Sequence, residues 1–149
     1  MKRLKTILTT FLLVLCTTML VACSTPIAEA PVYTPGQLAE VQRYEADVLV
    51  SRDRFDQLPD LLARTDWTNL RNLIHGPLGD LRRQMTNLSS VLVSSDQKQA
   101  EKLTQSFFQH LESLDGAAKA QEVKRSETLL KLAQSDLEAF LNLLPNDAA

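Results

Sequence analysis

Residues 66–92 read DWTNLRNLIHGPLGDLRRQMTNLSSVL, and this stretch combines a long apolar stripe with two glycines and a proline. Its apolar residues recur at spacings of three or four, which predicts one face of an amphipathic helix. The members of the stripe are Trp67, Leu70, Ile74, Leu78, Leu81, Met85, Leu88 and Leu92. Asp66 precedes the stripe and is typical of a helix N-cap. The stretch therefore predicts a helix with one face in a core.

The middle of this helix is expected to bend. Pro77 has no amide hydrogen to donate to the carbonyl of Leu73, and its ring crowds that carbonyl. A proline in a helix interior costs about 3 kcal/mol, so some compensation is needed. We predict a bend near His75 and Gly76. One explanation of the bend is that it wraps the helix around the core, with Gly76 and Gly79 allowing a neighbouring helix to approach closely. The other is that it presents a docking surface for a partner. The two explanations are compatible.

A second helix is predicted upstream of this stretch. Thr34-Pro35-Gly36-Gln37 combines an N-cap threonine, a proline at the first helical position and a glutamine three residues after the cap. Pro59 is expected to end this helix. Its apolar stripe contains Val41, Tyr44, Val48, Ser51, Phe55 and Leu58.

Two more stripes follow downstream. The first of them contains Ala100, Leu103, Phe107, Leu111, Leu114 and Ala118. Asp115-Gly116 is a plausible stop signal for that helix. The last stripe contains Val123, Ser126, Leu130, Ala133, Leu137, Phe140 and Leu144. It stops before Pro145.

Four helices of roughly 20 to 27 residues with short links favour antiparallel neighbours around one core. The predicted fold is therefore all-α, an up-down-up-down four-helix bundle over residues 35–149. It is preceded by a cleaved lipoprotein signal peptide and an extended tether.

The amino-terminal segment predicts export. Met1-Lys2-Arg3-Leu4-Lys5 is positively charged, and the apolar run that follows is too short to span a bilayer comfortably. Leu20-Val21-Ala22-Cys23 then matches a bacterial lipobox, so residues 1–22 are interpreted as a signal peptide. The Cys23 thiol is the expected site of lipidation, and two or three acyl chains give stable anchoring. Residues 23–34 form the predicted lipidated tether. Its part from Ser24 to Thr34 has two prolines and no helical period, and these eleven residues reach at most about 36 Å.

Composition argues against several other classes of protein. The full chain has a formal net charge of −2, and removal of Lys2, Arg3 and Lys5 with the signal peptide leaves about −5. A mildly acidic chain is a poor nucleic-acid binder. Cys16 lies in the segment to be removed, so Cys23 alone remains and no disulfide framework or paired-cysteine zinc site is expected.

The histidines do not lie in an arrangement typical of catalysis. His75 and His110 belong to no H-E-x-x-H or Glu-x-x-His pattern, and the chain has no glycine-rich phosphate loop and no nucleophile elbow. We therefore expect that the protein is not an enzyme and that it has no catalytic residue and no metal ligand. An alternative is a periplasmic lipoprotein bundle that carries a haem or metal, with Met85 and either histidine as axial ligands. Met85 lies in a regular apolar stripe, which favours a core position instead.

A partner-binding surface is predicted around the bend. Tryptophan and arginine are enriched where proteins bind proteins. The predicted docking residues are Trp67, Asn69, Arg71, His75, Arg82 and Arg83. Such charges are more often only a solvated face, so the docking role is a hypothesis.

The run DWTNLRNLIHGPLGDLRRQM over residues 66–85, together with the lipobox and the four-helix pattern, resembles the PsbQ family in its cyanobacterial lipoprotein form. The resemblance covers essentially the whole mature chain. The chain differs from the plant relatives in carrying a lipobox and a short tether, so contacts specific to the plant amino-terminal region are not carried over.

The resemblance implies an extrinsic subunit of photosystem II on the lumenal side of the thylakoid membrane, anchored through lipid on Cys23. It implies that the protein stabilises the oxygen-evolving complex and its assembled or dimeric form. The expected partners are PsbO and the core chlorophyll-binding antenna. No cofactor of its own is expected. Support of the manganese-calcium cluster, with retention of calcium and chloride, is an expectation at the level of the family.

Overall fold

The computed structural model describes residues 32–145, which contain six α-helices and no β-strand. The helices are α1 (Pro35–Phe55), α2 (Leu58–Ala63), α3 (Trp67–His75), α4 (Leu81–Val91), α5 (Ser94–Lys119) and α6 (Val123–Asn142). The all-α prediction is thus confirmed for this part of the chain. No helix within it is long and apolar enough to cross a membrane. The predicted signal peptide, Cys23 and most of the tether lie outside the described residues.

Helix α1 begins as its sequence predicts and ends earlier. The amide of Gln37 donates to the Thr34 hydroxyl at 3.3 Å, and the Thr34 amide donates to Gln37 Oε1 at 3.0 Å, which completes a capping box. The predicted end at Pro59 is wrong because the helix ends at Phe55. Pro59 lies instead in the first turn of α2, where its missing amide hydrogen leaves no helical bond unmade.

The helix predicted over residues 66–92 is divided into α3 and α4. The predicted bend is therefore confirmed, and the prediction of one continuous helix is wrong. Residues 76–80 form turns between the two helices. The amide of Leu78 donates to the carbonyl of Leu73 at 3.1 Å. This bond satisfies the Leu73 carbonyl, to which Pro77 cannot donate because it has no amide hydrogen. A Cβ on Gly76 would lie 2.9 Å from the Asn72 carbonyl oxygen, so the turn needs a glycine there.

Helix α5 runs past its predicted stop at Asp115-Gly116 and ends at Lys119. Gly116 lies within α5 and does not adopt a positive φ. Ala117 and Ala118 are buried, and their packing offsets the cost of a glycine in a helix, about 1 kcal/mol. The chain leaves the helix at Gln121, which has a φ of 57°.

The core is built from the predicted stripes. Phe55, Phe107 and Phe140 are fully buried, and the rings of Phe55 and Phe107 lie 5.5 Å apart between centroids. Helix α5 packs against α6, α4 and α3, while α1 packs against α4, and α2 against α3 and α6. Val123 is the exception among the stripe residues because it is exposed at the start of α6. Helix α5 therefore lies at the centre of the packing and supports the break between α3 and α4.

Candidate functional site

Asp115 on α5 joins two of the predicted docking residues. Its Oδ1 lies 2.8 Å from Arg71 Nε and 2.9 Å from His75 Nε2. Arg71 and His75 are four residues apart on α3, so they lie on the same face of that helix. The Asp115 side chain is only 19% exposed. This cluster ties the last turns of α3 to the carboxyl-terminal part of α5.

The pKa of the Asp115 carboxyl reflects this environment. Burial removes water and raises the pKa, while hydrogen bonds from Arg71 and His75 lower it. The hydrogen bonds and the nearby positive charge outweigh the burial, and the pKa lies below the ordinary aspartate value. Asp115 is thus held as a carboxylate at neutral pH.

Arg82 makes a second link across the break. Its Nη2 lies 2.8 Å from Glu112 Oε1, and its guanidinium carbon lies 4.2 Å from the centroid of the Phe108 ring. The ring face attracts the cation, in addition to the ion pair. Glu112 is one turn before Asp115 on α5. Both sides of the α3–α4 break are therefore attached to one face of α5.

A groove of about 260 Å³ lies between these two links. Its apolar lining includes Ile74, Leu78, Phe108 and Leu111, and His75, Arg82 and Asp115 also contribute. A second, more polar cleft of about 310 Å³ lies beside Trp67 at the carboxyl end of α5. Trp67 is half-buried and packs against the core.

The remaining two predicted docking residues make only local contacts. Asn69 donates its amide nitrogen Nδ2 to Asp66 Oδ2 at 2.7 Å, and its backbone amide is capped by the same carboxylate. Hydrogen bonds from Asn69 lower the pKa of Asp66. Arg83 is exposed and lies 3.5 Å from Asp80 in the turn before its own helix. The structure thus groups Trp67, Arg71, His75 and Arg82 along α5 and leaves Asn69 and Arg83 outside both clefts.

Sequence reasoning missed the α5 residues of this site. Asp115 was interpreted as part of a stop signal, and Glu112 carried no signal at all. Lys119 also lines the cleft beside Trp67. Its position depends on α5 extending past Gly116, which local sequence did not predict.

The positions proposed for haem ligands do not favour that alternative. Met85 is fully buried in the core. His110 Nδ1 lies 2.6 Å from Asp136 Oδ2 on α6, and His75 is hydrogen-bonded to Asp115. Within residues 32–145 there is no group of three or more His, Cys, Asp or Glu side chains that could hold a metal ion.

The described residues form an all-helical domain that presents arginines and a half-buried tryptophan on one surface supported by α5. A family model described as oxygen evolving enhancer protein 3, PsbQ, matches residues 4–145. The CyanoQ protein of Synechocystis sp. (strain ATCC 27184 / PCC 6803 / Kazusa) is 42% identical over 147 residues, which cover 97% of this chain and 98% of that protein. The chain belongs to the PsbQ family, and the resemblance seen in its sequence is confirmed.

Proposed function

We propose that this protein is an extrinsic lumenal subunit of photosystem II that stabilises the oxygen-evolving complex and its assembled or dimeric form. The observation that carries the proposal is family membership over nearly the whole chain. The protein acts by binding and not by catalysis. It holds no cofactor of its own and supports the manganese-calcium cluster of photosystem II, with calcium and chloride retention. Its partners are PsbO and the core chlorophyll-binding antenna, and nucleic acid is not among them.

The fold proposed for this role is an up-down-up-down four-helix bundle in which α2, α3 and α4 together take the place of the second helix. The packing of α5 against α4 and α6, and of α1 against α4, supports this arrangement. Helices α2, α3 and α4 together return the chain along the bundle. A compact bundle gives a rigid support for the docking surface.

The docking surface comprises Trp67, Asn69, Arg71, His75, Arg82 and Arg83. Links from α3 and α4 to Asp115 and Glu112 on α5 support it. A surface held in place before binding loses less side-chain freedom when the partner arrives, which favours affinity.

Membrane attachment is proposed through lipid on Cys23, at the lumenal side of the thylakoid membrane. Residues 1–22 are removed and residues 23–34 connect the lipid to the domain. Confinement to the membrane raises the effective concentration of the protein near its partner, so a modest interface is sufficient. Cys23→Ser is expected to leave the chain unprocessed or release it from membranes. Normal processing and unchanged membrane binding of that variant would exclude this mode of attachment.

The main experiment is purification of the tagged chain from membranes in gentle detergent, followed by identification of the bound proteins. Recovery of photosystem II is expected, and its absence would overturn the proposal.

The docking surface is tested with two substitutions that break the same internal ion pair. Arg82→Ala removes a docking residue, whereas Glu112→Ala leaves Arg82 in place without its internal partner. We expect Arg82→Ala to weaken the recovery of photosystem II and Glu112→Ala to retain it. Equal loss for both would indicate that Arg82 acts only by holding α4 against α5. Charge reversal at Arg71 is less informative because it would place two carboxylates together at Asp115.

A further inference from the structure

The polar cleft at the carboxyl end of α5 has an unbalanced positive charge. It is lined by residues of α3, by Ala118 and Lys119 at the end of α5 and by Gln121 just after it; the α3 residues are Trp67, Thr68, Arg71, Asn72 and His75. No carboxylate is among its lining residues. The protein as a whole is acidic, so a basic cleft contrasts with the rest of the molecule.

Lys119 carries the positive charge of the cleft that is not compensated by a carboxylate of the described residues. Arg71 lies 2.8 Å from Asp115, which compensates its charge inside the protein. Lys119 is exposed and makes no ion pair within 4.0 Å with any described carboxylate. Since its ammonium group carries three donors, it can bind an incoming anion without breaking an internal contact.

We propose that this cleft binds an aspartate or glutamate side chain on an acidic segment of the partner protein. Lys119 pairs with the carboxylate, the polar side chains of Thr68, Asn72 and Gln121 supply hydrogen bonds, and Trp67 covers the apolar part of the segment. This inference rests on the proposed function, because it specifies the chemistry of the partner at the proposed docking surface.

The position of the cleft favours a protein partner over a lipid headgroup. The tether enters the domain at Tyr33, whose hydroxyl donates to Asp96 at 2.7 Å in the first turn of α5. Asp96 and Lys119 are separated by almost the whole of α5, about 35 Å at 1.5 Å per residue. The cleft therefore lies at the end of the domain opposite to the entry of the tether.

The single tryptophan of the chain makes the cleft directly observable. The full processed protein in detergent is titrated with a hexapeptide that contains three aspartates separated by glycines, and Trp67 fluorescence is recorded. The matched peptide has asparagine in place of each aspartate. We expect a saturable change with the acidic peptide only, weakened by added salt because the contact is ionic.

Two lysine variants separate the cleft from general charge. Lys119→Gln is expected to weaken binding of the acidic peptide about fivefold. Lys102→Gln removes an exposed lysine of the same helix that lies outside the cleft, and it is expected to bind like the parent. Equal weakening by both variants, or a Trp67 response to both peptides, would overturn the proposal.

Two further measurements distinguish the sources of failure. If vesicles of phosphatidylglycerol change Trp67 fluorescence through Lys119 while the acidic peptide does not, the cleft is a lipid site and the proposal is wrong. If the parent recovers photosystem II and Lys119→Glu recovers it equally, this inference fails while the proposed function stands. If the parent recovers no photosystem II, the proposed function fails first.

Discussion

Replacing Asp115 by asparagine is expected to loosen α3 from α5 and to lower the stability of the whole domain. The carboxylate receives Arg71 Nε at 2.8 Å, Arg71 Nη2 at 3.5 Å and His75 Nε2 at 2.9 Å. An asparagine of the same size keeps one acceptor oxygen but loses the charge. Arg71 and His75 would then face a neutral amide.

The magnitude follows from the exposure of the partners. Asp115 is well shielded, but the Arg71 side chain is 37% exposed and that of His75 is 64% exposed, so water screens part of the interaction. We expect a loss of about 1.5 kcal/mol, between a surface ion pair and a buried charged hydrogen bond. In a domain of this size that corresponds to a decrease in Tm of about 6 °C.

The effect should depend on pH in a defined direction. The pKa of Asp115 is lower in the folded protein than its ordinary value of about 3.9. Its contribution to stability is therefore present above the ordinary value and is lost as pH falls through the folded-state pKa. The difference between parent and variant should be constant between about pH 5 and pH 6 and should shrink toward pH 3.

Thermal unfolding followed by circular dichroism at pH 6, 5, 4 and 3 provides the measurement. Asp47→Asn is the matched control because Asp47 is exposed on α1 and pairs with no described basic residue within 4.0 Å. That control should shift the free energy of unfolding by less than about 0.5 kcal/mol. A Tm for Asp115→Asn within about 1 °C of the parent at pH 6 would refute this reasoning. So would a difference that persists undiminished at pH 3.

Three other predictions address backbone, tether and core. Gly76→Ala should lower the free energy of unfolding, measured in urea, by about 1–2 kcal/mol, because the new Cβ would lie against the Asn72 carbonyl oxygen. Gly116→Ala should raise it by about 0.5–1 kcal/mol, because the new Cβ would have no atom within 4 Å and alanine favours a helix. Shifts in the same direction would contradict the backbone account. Burial and a carboxylate partner raise the pKa of Tyr33 to about 12, so its stabilisation should persist below about pH 10 and disappear as pH rises through 12. Absorbance at 295 nm should show one tyrosine ionising late, and Tyr33→Phe should abolish that phase. Thr104→Val should raise Tm, because the buried hydroxyl has no hydrogen-bond partner and removing it stabilises by about 1 kcal/mol. A lower Tm would indicate an unseen partner for that hydroxyl.

Local sequence was sufficient where neighbouring residues decide the structure. The capping box at Thr34 and Gln37 uses atoms three residues apart, so its geometry is fixed by the chain itself. Pro77 removes a donor from its own helix and therefore marks the break without reference to the rest of the fold. The period of the apolar residues identified nearly all of the core, including Phe107 and Phe140.

The candidate site depended on contacts that local sequence does not specify. Arg71 and Asp115 are 44 residues apart, and Arg82 and Glu112 are 30 residues apart. Their pairing requires α3 and α4 to pack on a particular face of α5. The basic surface predicted from the arginines alone therefore lacked its carboxylate partners on α5.

The order of residues along the chain was enough to predict the helical class and the position of the break, and its resemblance to known proteins was enough to predict membership of the PsbQ family. These follow from the spacing of apolar side chains, from the missing amide of one proline and from a specific run of residues. Packing in the folded protein was needed to show that α5 continues past Gly116 and carries the acidic residues that hold the break in place. Helix ends and ion pairs of this kind are set by packing between distant segments, because burial of Ala117 and Ala118 outweighs the local preference of a glycine to stop the helix.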